Sequence, residues 1–166
     1  MKKLFTLLMA LPLALLSLTT TSCSDDDKDL PDVDFTLQVE NAQIVDNTIY
    51  VVQGDTLKVT AIDVTAVSGS KDCGIARATY FIDGVIAYNT IFPPFGAEFP
   101  TYKADGDQPG TSIGNHTMLI EMTVLQVKKE IGIAALGYNN KVVEDESQIP
   151  TGGTTTTTGT AGIKAE

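Results

Sequence analysis

The chain has 166 residues and a formal net charge of −10, with 11 basic residues against 21 acidic ones. That balance argues against a nucleic-acid partner, which calls for a basic stripe. With one histidine, His116, and two cysteines, Cys23 and Cys73, neither a Ser-His-Asp nor a Cys-His catalytic set can be assembled, and no zinc-type spacing exists.

The chain opens with an address. Lys2 and Lys3 form a positive start, and Leu4 to Leu18 is an apolar run with Pro12 near its middle. The run is shorter than the roughly 18–20 apolar residues needed to cross a bilayer. Small polar residues follow it up to Ser22, and Cys23 stands where cleavage should fall. These are the parts of a secretory signal peptide, and the Cys at the boundary resembles a bacterial lipoprotein signal. The resemblance implies a signal peptide over residues 1–22 and a diacylglycerol thioether on Cys23. The usual Leu three residues before the Cys is Thr20 here. Ser24, Asp25, Asp26 and Asp27 follow, and a Ser-acidic run at that place resembles the surface-export signal of Bacteroidetes lipoproteins. The implied location is the outer membrane, lipid-anchored and facing outward. Carboxylates beside an anionic surface are repelled from it, so residues 23–33 read as an acidic linker standing off the headgroups. With Cys23 carrying lipid, Cys73 has no disulfide partner and reads as a small buried hydrophobe.

Residues 34–150 read as one domain built of strands. Asp34 to Glu40 alternates, with Phe35, Leu37 and Val39 on one face, the period-2 sign of a half-buried strand. Asp46-Asn47 is a turn signal before Thr48 to Val52. Thr56 to Val64 follows, read with Leu57 and Val59 on one face and Ile62 and Val64 on the other. Ser68 to Asp72 is loop by composition. Ile75 to Ile82, Asp83-Gly84 and Val85 to Tyr88 form the clearest hairpin, since Asp-Gly is a strong two-residue turn. Adjacent Pro93 and Pro94 keep Asn89 to Tyr102 out of any central strand. Asn115 to Val127 is the longest strand pattern, with Met118, Ile120, Met122 and Val124 on one side. Glu130 to Tyr138 is a further strand, and Asn139-Asn140 reads as a turn before Lys141 to Val143. Seven or eight short strands at such intervals, with no convincing helix, read as an all-β sandwich. Residues 151–166 are Thr/Gly-rich and read as a flexible tail.

The run Ala78-Thr79-Tyr80-Phe81-Ile82-Asp83-Gly84, then Ile86, then Pro93-Pro94-Phe95, then Gly114-Asn115-His116-Thr117 resembles a bacterial immunoglobulin-like module. The resemblance covers about the middle third of the chain. It implies an immunoglobulin-like β-sandwich of the kind found in secreted and surface proteins of carbohydrate-feeding bacteria. In that motif His116 opens a strand, and Phe92 and Phe95 plug an open end of the sandwich. After Val127 the chain departs from the module's usual pattern.

Tyr88, Tyr102 and Phe99 are the candidate ligand-binding residues, because aromatic faces stack on sugar rings or anchor a protein partner, and loops on a rigid scaffold often carry function. Asp105 and Asp107, with Asp63 or Asp83, are oxygen ligands in reach of a Ca²⁺ reading, without EF-hand spacing. The expectation is a cell-surface lipoprotein with no enzymatic activity and no cofactor beyond the covalent lipid on Cys23. It would bind or scaffold, as an accessory to glycan capture or with a surface protein. A structural subunit of the adhesion or fimbria type is the alternative, and it calls for an open edge strand.

Overall fold

The computed structural model describes residues 32–67, 73–102, 110–126 and 129–164. Eleven strands lie among these residues: β1 (Val33–Glu40), β2 (Gln43–Val45), β3 (Thr48–Val52), β4 (Thr56–Ala66), β5 (Cys73–Ile82), β6 (Val85–Thr90), β7 (Ala97–Pro100), β8 (Gly114–Gln126), β9 (Lys129–Val143), β10 (Thr156–Ala161) and β11 (Ile163–Lys164). A single 3₁₀ turn, Glu146–Gln148, is capped by the Asp145 side chain. No helix of the described residues is long and apolar enough to cross a membrane.

The strands form two sheets. One has the order β10-β1-β4-β7, and the other runs β2-β3-β9-β8-β5-β6 with β11 also paired to β9. Placing β1, β4 and β7 in one sheet, and β9, β8, β5 and β6 in the other, gives the A-B-E and G-F-C-C′ arrangement of an immunoglobulin-like sandwich. β3 lies parallel to the end of β9, from Thr48 opposite Asn139 to Val52 opposite Val143. Every other ladder is antiparallel. Leu37, Ile62, Tyr80, Ile120 and Met122 are buried between the sheets.

Local chemistry explains the turns. Asp46 and Asn47 both take positive φ, as do Asp83 and Gly84, which is the two-residue hairpin geometry whose twist matches the flanking strands. Gly132 has φ +151, and a Cβ there would come within 2.2 Å of the Lys164 carbonyl oxygen. A side chain would push β11 off β9, so glycine at this place serves a close backbone approach.

Four expectations are corrected. The inward face of β4 changes phase along the strand. Gln38 pairs with Ala61 while Val39 pairs with Val59, so Thr60 is an extra residue. This bulge puts Leu57, Val59, Ile62 and Val64 all into the core, although strict alternation divides them. The Asn139-Asn140 pair is not a turn: β9 runs through it, with β8 on one side and β3 on the other. Two ladders outweigh the local turn preference of asparagine, and Asn47 adds a tie by donating from Nδ2 to the Gly137 carbonyl at 3.0 Å. Of the expected tail at 151–166, the described residues 151–164 are not outside the domain. Thr156–Ala161 is β10, paired with β1 from Gln38 to Val33, and Ala161 and Ile163 are buried. The threonines that carry too little apolar surface to fold alone are good strand formers once β1 offers an edge. Finally, Phe92 does not plug the sandwich. It is 73% exposed, whereas Phe95 is buried.

Candidate functional site

The longer sheet overhangs the shorter one at β6. Val85, Ile86, Ala87, Tyr88 and Asn89 are all exposed, and only Thr90 at the strand end is buried. Among the described strands, β6 pairs with β5 alone. Tyr88 stands opposite Tyr80 in that ladder, on the inward side, but past the rim where β4 and β7 end the opposing sheet. An open cleft of about 630 Å³ results, lined by Glu40, Lys58, Val59, Thr60, Tyr88, Gly96, Ala97 and Glu98.

Behind Tyr88 lies the core. Tyr80 is fully buried and donates from its hydroxyl to the Phe95 carbonyl at 2.5 Å. Burial, followed by the neighbouring Tyr88, pushes the Tyr80 phenol well above its ordinary pKa. It is a neutral donor, which its partner carbonyl needs. Its ring lies 5.4 Å from Phe99 and 6.4 Å from Tyr88, tilted by 53° and 48°, within the range of favourable aromatic pairs. The loop between β6 and β7 is tied to the other sheet as well, since the Ile62 amide donates to the Pro94 carbonyl at 3.0 Å. At Gly96 a Cβ would stand 2.7 Å from the Val59 carbonyl oxygen. The loop therefore passes flush against β4 and forms the cleft floor.

Charged groups line the same cleft. Lys58 sits opposite Glu40 on one side and Glu98 on the other, and Lys58 Nζ lies 3.3 Å from a Glu98 carboxylate oxygen. Both side chains are well exposed, so the pair contributes about 0–1 kcal/mol to stability. Its value to a ligand is different, because it presents donors and acceptors beside an aromatic face.

A second constellation secures the far end of β6. Asp83 in the hairpin turn accepts from the Thr117 amide at 2.8 Å and faces His116 Nδ1 at 2.7 Å. His116 Nε2 faces the Ser112 carbonyl at 2.9 Å. With an acceptor at each ring nitrogen, the protonated imidazole suits the site. Asp83 is the main reason the His116 pKa is raised, and His116 is the main reason the Asp83 pKa is lowered. Nδ1 holds the turn to β8 and Nε2 holds the segment that leads into β8, so both ring nitrogens have a positioning role.

The expected ligand-binding residues separate. Tyr88 lines the cleft. Tyr102 is 42% exposed beyond β7 and is not part of the cleft lining. Phe99 is buried against Tyr80, so its assignment as a ligand contact is corrected: β7 alternates, and Ala97 and Phe99 take the inward places. Cys73, at the head of β5, is half-buried and packs against the core. Cys23, Ser24, Asp25, Asp26, Asp27, Asp105 and Asp107 lie outside the described residues. Among the described residues, no group of three or more His, Cys, Asp or Glu side chains is placed to hold a metal ion. The exposure of Val85, Ile86, Ile91 and Phe92 was missed by sequence reasoning. The sequence carried no signal for it, because an uncharged run such as Val85 to Ala97 reads as buried.

No protein-family model matches the chain, and no curated protein is significantly similar to it. Among solved structures, it is similar to fibronectin(III)-like modules of Clostridium thermocellum CbhA, at 14% identity and a TM-score of 0.36, over 71% of this chain and 50% of that one. The chain thus spans half the length of that solved chain. The class rests on the strand order itself: an immunoglobulin-like β-sandwich module.

Proposed function

We propose that this chain is a non-catalytic binding module, displayed on the outer face of the outer membrane by a lipid on Cys23, and that it captures glycan in the cleft beside Tyr88. The observation that carries the reading is the half-exposed Tyr88 ring on the wall of a cleft of about 630 Å³, with Lys58 and Glu98 next to it. A sugar ring has apolar C–H faces that lie on an aromatic ring and hydroxyls that need donors and acceptors at its rim. The tied loop from Ile91 to Gly96 supports the reading too, since a preformed wall spares a ligand the cost of ordering it.

A glycan-array screen of residues 24–166, with Tyr88→Ala and Tyr102→Ala beside it, tests this. The expected result is binding that Tyr88→Ala loses by tenfold or more and Tyr102→Ala keeps. Silence from folded protein, or equal loss in both variants, would sink the glycan reading. The anchor is tested separately by feeding cells a clickable fatty acid. Label should enter the parent protein and be absent from Cys23→Ala.

A second reading, a structural subunit of a surface assembly, is favoured by one observation, the uncovered edge of β6.

A further inference from the structure

The edge of β6 combines three properties that occur together nowhere else among the described residues. Among the described strands β5 is its one ladder partner, which leaves its outer backbone edge open. Both of its faces are bare, with five consecutive exposed residues from Val85 to Asn89. And it is apolar: of eight exposed large hydrophobic residues, five (Val85, Ile86, Tyr88, Ile91 and Phe92) fall between positions 85 and 92. The edge strand β10 of the other sheet differs on the last point, since its exposed positions are threonines. An open, apolar strand edge is a template for pairing with another strand. Charged residues that ordinarily blunt such an edge are missing, since none occurs from Val85 to Ala97.

We propose that β6 is the interface of a two-fold homodimer, in which two copies pair β6 antiparallel and join their longer sheets into one. Self-complementarity points to a second copy as the occupant, and electrostatics restricts where two copies can meet. The chain carries a net charge of −10, so two copies repel wherever their charged faces meet within a Debye length of about 8 Å at physiological salt. The neutral run from Val85 to Ala97 is a face on which they meet without placing acid against acid. The strand is also self-complementary, as an isologous contact requires. A register centred on Tyr88 sets Val85 of one copy near Ile91 of its partner, apolar against apolar, and satisfies the idle backbone groups of both strands.

The test is light scattering after size exclusion, with sedimentation velocity, on residues 24–166, which contain every described strand. At tens of micromolar the parent should run as a dimer. Ile86→Lys, at a position 63% exposed, should run as a monomer with an unchanged circular-dichroism spectrum. Thr158→Lys on the β10 edge should remain a dimer. Because the interface is neutral, the parent dimer should also tighten between 50 and 500 mM NaCl, as repulsion of the net charges is screened. This readout needs no variant to fold. A parent that stays monomeric up to hundreds of micromolar overturns the proposal, even if it pairs with a strand of another protein. So does a dimer that Thr158→Lys breaks and Ile86→Lys leaves intact, or one that salt dissociates.

Discussion

Tyr80 shows how one buried side chain ties the strand that carries Tyr88 to the loop that follows it. Its ring spaces Tyr88 from Phe99, and its hydroxyl holds the Phe95 carbonyl. Tyr80→Phe keeps the ring and leaves a buried carbonyl without its donor. Such a loss costs about 1–3 kcal/mol, so the melting temperature should fall by several degrees while the fold persists. His116 and Asp83 make a prediction in pH. The His116 pKa is raised above its ordinary 6.5, so its contribution is complete below about pH 6.5 and disappears as pH rises through the folded value. The Asp83 pKa is lowered below 3.8, so its contribution is complete above that pH and disappears as pH falls through the folded value. The pair therefore stabilises most between about pH 4 and 6.5. The gap in melting temperature between the parent and His116→Gln should be widest near pH 5–6 and narrow toward pH 9. Both groups touch solvent, so the effect is small, and a gap that widens with pH would contradict the arrangement.

Two elements carry more than their local sequence suggests. The loop from Ile91 to Gly96 lies flush on β4, where Gly96 approaches the Val59 and Thr60 carbonyl oxygens. Gly96→Ala has no space for its methyl group against backbone, and should destabilise the protein by about 1–3 kcal/mol, as overpacking does. It should also reduce binding in the cleft, because the floor shifts with the loop. β10 and β11 make the opposite point about the chain's end. A chain cut after Pro150 loses the strand that covers β1 and the buried Ala161 and Ile163. It should melt at a clearly lower temperature or fail to fold, whereas removal of a flexible tail would change nothing. Circular dichroism of the two lengths decides between them.

At the scale of the molecule, the mismatch between the two sheets generates the surface features. The shorter sheet ends at β7, and the longer one continues to β6. The overhang leaves a cleft beneath the strand and an open edge along it. Ile86 lies on β6 but outside the cleft lining, so Ile86→Lys should break the dimer and leave binding beside Tyr88 intact, which separates the two proposals.

The sequence by itself determined the all-β class, the turn at Asp46-Asn47, the hairpin at Asp83-Gly84, and the inward residues of β1 and β8. Each of these follows from local chemistry: Asp46-Asn47 and Asp83-Gly84 tolerate positive φ, Leu37 alternates with Thr36 and Gln38, and Met118, Ile120, Met122 and Val124 repeat at period 2. Only the tertiary structure decided that Thr60 bulges, that β9 passes through Asn139 and Asn140, that the threonine run joins β1, and that Phe99 is covered while Phe92 is bare. These depend on which distant strand lies alongside. The pairing of Val33 with Ala161 spans almost the whole described chain, and no window of neighbouring residues contains it. Where a ladder or a facing sheet supplies hydrogen bonds and apolar contact, it outweighs the weaker local preference for a turn, a tail or an exposed ring.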